Sequence, residues 1–216
     1  YAYYAFKRSK DTACLASLLH HYRYEWMLHM LEREVRIADA AIVANLERGV
    51  SFFASTTMLV LAGLITVLGA AQTALSVVNM LPLAIPTTEA EFEIKLLCII
   101  CLFVYAFFKF TWSLRQYGFL SVMVGGAPQP GQMNEVQKER LALKSANMGS
   151  IAANNFNAGL RAYYYGIAML GWFISPWLFM ISSVIVVAVL YRREFKSATL
   201  RTLTMSGRWD HHESIL

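Results

Sequence analysis

The chain has 216 residues, of which 57% are apolar and only 15% carry a charge, and its mean hydropathy is +0.44. This composition excludes an ordinary soluble domain, because uncharged runs long enough to cross a bilayer occur at three places. The net charge of +5 comes from residues spread between those runs, which favours contact with anionic lipid over a nucleic-acid groove. We therefore predict an all-α, polytopic helical membrane protein with a single domain over residues 1–197.

The chain opens with YAYYAF, followed by the basic stretch KRSK. Tyrosines beside basic residues are typical of a membrane span where it meets the polar interface. We therefore expect residues 1–6 to end a truncated N-terminal span that is largely missing from this sequence. A short aromatic segment lying on the membrane surface is the alternative.

A helical pattern follows over residues 13–50, because apolar residues recur at spacings of three, four or seven. Charged residues fill the other faces, and two spacings predict cytoplasmic ion pairs, Glu32 with Arg36 and Arg36 with Asp39. The acidic residues of this helix are therefore interpreted as members of ion pairs, in preference to the two carboxylates of a hydrolase site. The predicted helix is amphipathic and cytoplasmic, and it leads into the first complete span without a Gly or Pro before Gly49.

The first complete span, about 52–75, carries small residues at heptad spacing in two adjacent columns. Such columns form a helix-packing face that another helix can approach closely, either within the fold or in a subunit contact. The face comprises Ser55, Thr56, Ala62, Gly63, Gly69 and Ala70. The alternative is a passive channel or small-solute transporter lined by hydroxyls, namely Ser55, Thr56, Thr57 and Thr66. Packing is favoured, because Ser and Thr in membrane helices commonly bond to the carbonyl four residues earlier.

The loop at 76–93 contains two prolines and no Lys or Arg, so it is predicted to face outward. The second span, about 94–112, then returns the chain to the cytoplasm. No Asp, Glu or His lies within any of the three spans. A proton relay or a haem held inside the membrane is therefore not expected, and no metal or other cofactor is predicted.

A second cytoplasmic helix is predicted over residues 134–161, and its middle is rich in Asn and small residues. These are Ala152, Ala153, Asn154, Asn155, Asn157, Ala158 and Gly159. One interpretation is close approach of another helix, with amides bonding across the contact. The other is a weakly ordered surface helix.

The third span, about 162–190, is interrupted by Pro176 and followed by YRREFK. A single crossing leaves this basic flank outside, against the charge rule. A hairpin returns it inside, but 29 residues give two arms of only about 21 Å at a 1.5 Å rise. A single long crossing, tilted or kinked at Pro176, is therefore favoured over a re-entrant hairpin. Residues 198–216 are predicted to form a polar tail.

Basic residues beside aromatic ones mark the predicted cytoplasmic boundary of the spans. They are Lys109, Arg115, Arg161, Arg192 and Arg193. Arginine next to an aromatic ring at an interface binds lipid phosphate well, so these residues are candidates for lipid or anion binding. Ordinary anchoring at the interface is the alternative.

Four motifs occur in a familiar order: RIADAAIVANLERGVSFFASTTMLVLAGL at 36–64, WSLRQYGFLSVMVGGAP at 112–128, FNAGLRAYYYGIAMLGWFISPWLF at 156–179 and LYRREFKS at 190–197. With them the chain resembles the uncharacterised integral membrane family catalogued as domain of unknown function 599, found in proteobacteria and, more distantly, in plants. The resemblance implies a four-helix protein of the bacterial cytoplasmic (inner) membrane, with its first helix largely missing here. It implies no activity.

Polar groups inside the predicted spans are mainly hydroxyls, not acids, metal ligands or nucleophile pairs. The sequence therefore favours a non-enzymatic protein that acts through helix packing. We expect it to self-associate or to serve as an accessory subunit of a larger membrane complex, with membrane lipids as its other partners.

Overall fold

The computed structural model describes residues 15–81, 84–195, 199 and 202–203. Its helices are α1 Leu15–Leu31, α2 Ile37–Gly69, α3 Ala71–Asn79, α4 Glu89–Gly125, α5 Glu135–Ile174 and α6 Pro176–Phe195. No strand occurs in this described part of the chain. Three helices are long and apolar enough to cross a membrane: α2, α4 and the Pro176–Glu194 stretch of α6. The predicted all-α membrane fold is thereby confirmed, whereas the span expected at residues 1–6 lies outside the described residues.

Two of the long helices begin at capping boxes. Thr88 Oγ1 accepts the Glu91 N–H at 3.3 Å, and Glu91 Oε2 accepts the Thr88 N–H at 3.1 Å. Asn134 and Gln137 exchange the same two bonds at the start of α5. Each box satisfies two N–H groups that a helix start otherwise leaves unpaired. These boxes therefore define where α4 and α5 enter the bundle.

The single helix predicted over residues 13–50 is wrong, because the chain turns between α1 and α2. Arg36 lies at this turn, and its Nη1 and Nη2 donate to the carbonyls of Ala127 and Pro128 at 2.5 and 2.6 Å. The predicted pairs of Arg36 with Glu32 and Asp39 are therefore also wrong. Glu32 instead pairs with Lys138 on α5, at 2.7 Å. Beyond the turn, α2 runs unbroken into the first span.

The core forms where α4 packs between α2 and α5, while α1 packs against α5. Its centre is an aromatic cluster whose touching rings have centroids between 5.4 and 6.1 Å apart. The cluster comprises Phe53, Phe110, Phe156 and Tyr163. Gly159 on α5 lies against the Phe110 ring and leaves no room there for a Cβ. The small residues of α5 thus allow the close approach to α4 that was one of the two predicted alternatives.

The single crossing predicted for residues 162–190 is wrong, because α5 ends at Ile174 and α6 returns beside it. Ser182 Oγ donates to the Ala168 carbonyl at 3.0 Å, and Arg193 Nη1 to the Tyr164 hydroxyl at 3.1 Å. The predicted helix at 134–161 and the first half of that span form one helix, α5. The first arm of the hairpin therefore extends back before residue 162, and its last 20 residues measure about 30 Å.

The hairpin turn lies at the same end of the bundle as the loop after α3, because the Ile85 N–H donates to the Ile174 carbonyl at 3.0 Å. We call this the loop end, comprising residues 84–88 and 174–176. The opposite end, with α1, residues 126–134 and Arg192–Arg193, is the basic end. Since α6 returns over 20 residues, its basic flank joins the other basic segments. The conflict with the charge rule disappears.

Candidate functional site

The span predicted at about 52–75 is interrupted, because α2 ends at Gly69 and Ala70 lies between α2 and α3. The predicted helix-packing face lies on the outside of the bundle. Its six residues are exposed except for half-buried Thr56: Ser55, Thr56, Ala62, Gly63, Gly69 and Ala70. A Cβ added at Gly63 or Gly69 meets no atom within 4 Å. Ala54, Thr57 and Leu61 are buried instead. Among the described residues the face therefore packs against no other helix, and its contact with another molecule stays a prediction.

The threonine hydroxyls of α2 are directed to its own backbone. Thr56 Oγ1 donates to the Phe52 carbonyl at 2.8 Å, and Thr66 Oγ1 to the Ala62 carbonyl at 2.9 Å. Thr57 is buried, within 2.6 Å of the Phe53 carbonyl oxygen and 2.8 Å of the Tyr163 hydroxyl. Ser55 and Thr66 are exposed on the outside, so the four hydroxyls do not line one path through the chain.

The five basic residues predicted to bind lipid are not gathered into one site. Lys109 Nζ donates to Asn155 Oδ1 at 3.2 Å. The Arg115 guanidinium lies 5.6 Å from the centre of the Phe119 ring, and that of Arg193 lies 5.5 Å from the Tyr164 ring. Arg161 is half-buried and Arg192 is exposed. These separate contacts resemble interface anchors, and lipid binding by the set stays a prediction.

A polar network between α4 and α5 was not anticipated from the sequence in detail. Asn155 Nδ2 donates to Gln116 Oε1 at 2.9 Å while its Oδ1 accepts from Lys109. Ser113 Oγ donates to the Ala152 carbonyl at 2.7 Å. The Asn-rich stretch was the available signal, and its amide does bond across the contact. Because each of these bonds joins the two helices, the network stabilises their packing.

Helix α1 adds a second polar contact at the basic end. Ser150 Oγ on α5 lies 2.9 Å from His20 Nδ1 and accepts a hydrogen bond from Arg23 Nη1 at 3.3 Å. This arrangement suits a neutral imidazole that accepts the Ser150 hydroxyl hydrogen at Nδ1. Burial, and then the Arg23 and His21 charges, hold the pKa of His20 below its ordinary value.

His20 should make the stability of the α1–α5 contact depend on pH. A histidine whose pKa is lower in the folded state than in the unfolded state contributes most to stability above its unfolded pKa of about 6.5. Stability should therefore fall as the pH drops from about 6.5 towards the lower folded pKa. Thermal unfolding in detergent between about pH 7.5 and pH 5 measures the slope of stability against pH, and His20→Asn should make that slope smaller. An equal slope in the wild-type and variant proteins would contradict the assignment.

Among the described residues, no group of three or more His, Cys, Asp or Glu side chains is placed to hold a metal ion.

Comparison with known proteins identifies the family of the chain. No curated protein and no solved structure matches the chain. One family model, described as "Protein of unknown function, DUF599", matches residues 1–199. With that match over most of its length, the chain belongs to the DUF599 family, as its four motifs predicted.

Proposed function

We propose that the protein is a non-enzymatic membrane subunit that self-associates through the small-residue face of α2. The supporting observation is that five of the six face residues are exposed among the described residues, although they are the kind that membrane helices place in close contacts. Helix α2 packs mainly against α4. Its buried stripe, including Val50, Thr57 and Leu61, lies on the opposite side of the helix from the small residues.

The chemistry of the face favours a second membrane helix over a polar ligand. Because Thr56 bonds to its own backbone, its hydroxyl demands no hydrogen bond from a partner helix. Small residues at heptad spacing let two helices cross at a shallow angle along several turns. A second copy of α2 presents the same spacing, and a two-fold dimer uses the same patch on both subunits.

The proposed setting is the bacterial cytoplasmic membrane. The described Lys and Arg residues concentrate towards the basic end, while the loop at 76–93 has none. Under the positive-inside rule the basic end faces the cytoplasm, and both the α2–α4 loop and the α5–α6 turn face outward. Helix α1 is then a cytoplasmic element packed on the inner part of α5.

The oligomeric state of Gly63→Ile tests the proposal. A Cβ at Gly63 meets no other described part of the chain, so the variant should fold normally, but it should weaken association by roughly tenfold or more. Mass measurement in mild detergent, at matched concentrations, gives the stoichiometry. Ala188→Ile, a similar change on the exposed side of α6, is the matched control and should remain associated.

Two outcomes would overturn self-association through this face. One is a wild-type protein that is monomeric at native expression, and the other is a wild-type oligomer that Gly63→Ile leaves intact. A different membrane protein that co-purifies in fixed ratio, and is lost in Gly63→Ile, would replace self-association with the accessory-subunit role.

A further inference from the structure

A cleft of about 400 Å³ opens at the loop end, between the start of α4, the end of α5 and the first residue of α6. Its walls are mostly apolar and include Ile94, Trp172 and Ile174. Two charged side chains, Glu91 and Lys95, also line it. The α5–α6 turn and the 84–88 segment, joined by the Ile85–Ile174 hydrogen bond, complete the enclosure.

Lys95 is half-buried in this cleft without a carboxylate within 4 Å among the described residues. Its Nζ lies 5.7 Å from the centre of the Trp172 ring and 3.5 Å from Thr87 Oγ1, which is a long hydrogen bond. A partly desolvated ammonium with such weak partners retains the capacity to donate to an anion. Lys95 therefore supplies one half of a binding site.

Glu91 supplies a charge of the opposite sign. Its Oε2 accepts the Thr88 N–H of the capping box, which fixes the carboxylate at the first turn of α4. One residue of each sign lines the cleft, so a purely anionic group would meet repulsion from Glu91. A zwitterionic group, with a phosphate towards Lys95 and an ammonium towards Glu91, complements both charges.

The position and the apolar walls favour a lipid over a soluble zwitterion. Lys95 lies six residues into α4, about 9 Å along its axis. Trp residues concentrate at the level of lipid head groups, and Trp172 and Trp177 both lie next to the hairpin turn. Ile94 is 58% exposed on the outside of α4, which continues the apolar wall along the helix. An acyl chain can follow that surface into the bilayer.

We propose that this cleft binds the head group of a phospholipid that carries a phosphodiester and a primary ammonium. Lys95 donates to the phosphate, the Glu91 carboxylate accepts from the ammonium, and Trp172 and Ile94 contact the glycerol and upper acyl chain. The residues involved lie on α4, α5 and the loop end, and none lies on the α2 face. The inference therefore does not depend on self-association.

Native mass spectrometry of the full chain tests the site by counting retained lipids after exchange into equimolar phosphatidylethanolamine, phosphatidylglycerol and phosphatidylcholine. The wild type should retain phosphatidylethanolamine preferentially. Lys95→Gln should reduce retention of all three by about fivefold, the loss expected for one basic contact at a lipid surface. Lys144→Gln, an exposed change on α5 at the basic end, is the control and should retain lipid normally.

Glu91→Gln removes the negative charge from the cleft but keeps the hydrogen bond of the helix cap, because Gln also satisfies a capping box. This variant should keep its unfolding temperature and shift its preference from phosphatidylethanolamine towards phosphatidylglycerol. Equal retention in the wild type, Lys95→Gln and Lys144→Gln would overturn the site. Displacement of the lipid by equimolar soluble glycerophosphoethanolamine would overturn the lipid assignment.

Discussion

Gly159→Ala should destabilise the protein by about 1–3 kcal/mol, the usual cost of forcing an extra methyl into a packed core. A Cβ at Gly159 would lie 2.5 Å from Phe110 Cε1 and 2.7 Å from its Cζ, well inside contact distance. Phe110 is fully buried, and three aromatic rings surround it, so its own ring has little room to move. The added methyl must therefore push α5 away from α4.

Gly118→Ala is the matched control, because it makes the same change in the long helix α4. Apart from the helix's own backbone, no described heavy atom lies within 4 Å of a Cβ built there. Alanine is favoured over glycine in a helix by about 1 kcal/mol, so this variant should be neutral or more stable. The two alanine variants should therefore shift the unfolding midpoint in detergent in opposite directions.

The double variant Gly159→Ala with Phe110→Leu identifies the clash as the cause. Leucine removes the ring atoms that the new methyl meets, although Phe110→Leu alone loses packing in the aromatic cluster. The two changes touch each other, so the double variant should lose less stability than the two single losses combined. Strictly additive losses, or a Gly159→Ala protein as stable as Gly118→Ala, would contradict the geometry.

The sequence predicted the membrane class because that class depends on local composition. The turn between α1 and α2 was missed because no Gly or Pro marks it. It depends instead on Arg36 bonding to Ala127 and Pro128, which lie about 90 residues further along the chain. A spacing rule detects pairs within one helix, so it assigned Arg36 to Glu32 and Asp39.

The hairpin was missed because its first arm includes polar residues. Asn155 and Arg161 looked cytoplasmic, so the arm was measured from residue 162 and judged too short. In the bundle, Asn155 bonds to Gln116 and Lys109 across the helix contact. Such bonds let an arm with polar residues pack beside apolar helices. The hydrogen-bond partners of these residues can be identified only when the pairing of the helices is known.

The small-residue face of α2 illustrates a different limit. Its periodicity showed that these residues share one side, but not whether that side faces the bundle. In a soluble helix the polar face would identify the outside, whereas a lipid-facing surface is as apolar as the interior. The cleft near Lys95 was equally hidden, because it forms only when the α5–α6 turn meets Ile85.

Asp39→Ala should lower stability by about 3 kcal/mol, because it removes a buried carboxylate that accepts two hydrogen bonds. Asp39 is fully buried at the start of α2, and its Oδ1 accepts from Arg33 Nη1 and from Trp26 Nε1, each at 2.7 Å. Loss of the carboxylate leaves Trp26 Nε1 without this acceptor and frees the turn between α1 and α2. Glu34→Ala, an exposed acid in the same turn, should change stability by less than about 0.5 kcal/mol.

Asp39→Asn then separates the charge from the hydrogen bonds. Asparagine keeps an oxygen that accepts from Trp26, but it loses the attraction to Arg33, whose side chain is 47% exposed and hydrated. The loss should therefore fall between those of Glu34→Ala and Asp39→Ala. Amide hydrogen exchange along α1 measures the local loss of stability, and it should be faster in both Asp39 variants than in the wild type. Unchanged exchange in Asp39→Ala would show that α1 is held by its contacts with α5 alone, independently of the α1–α2 turn.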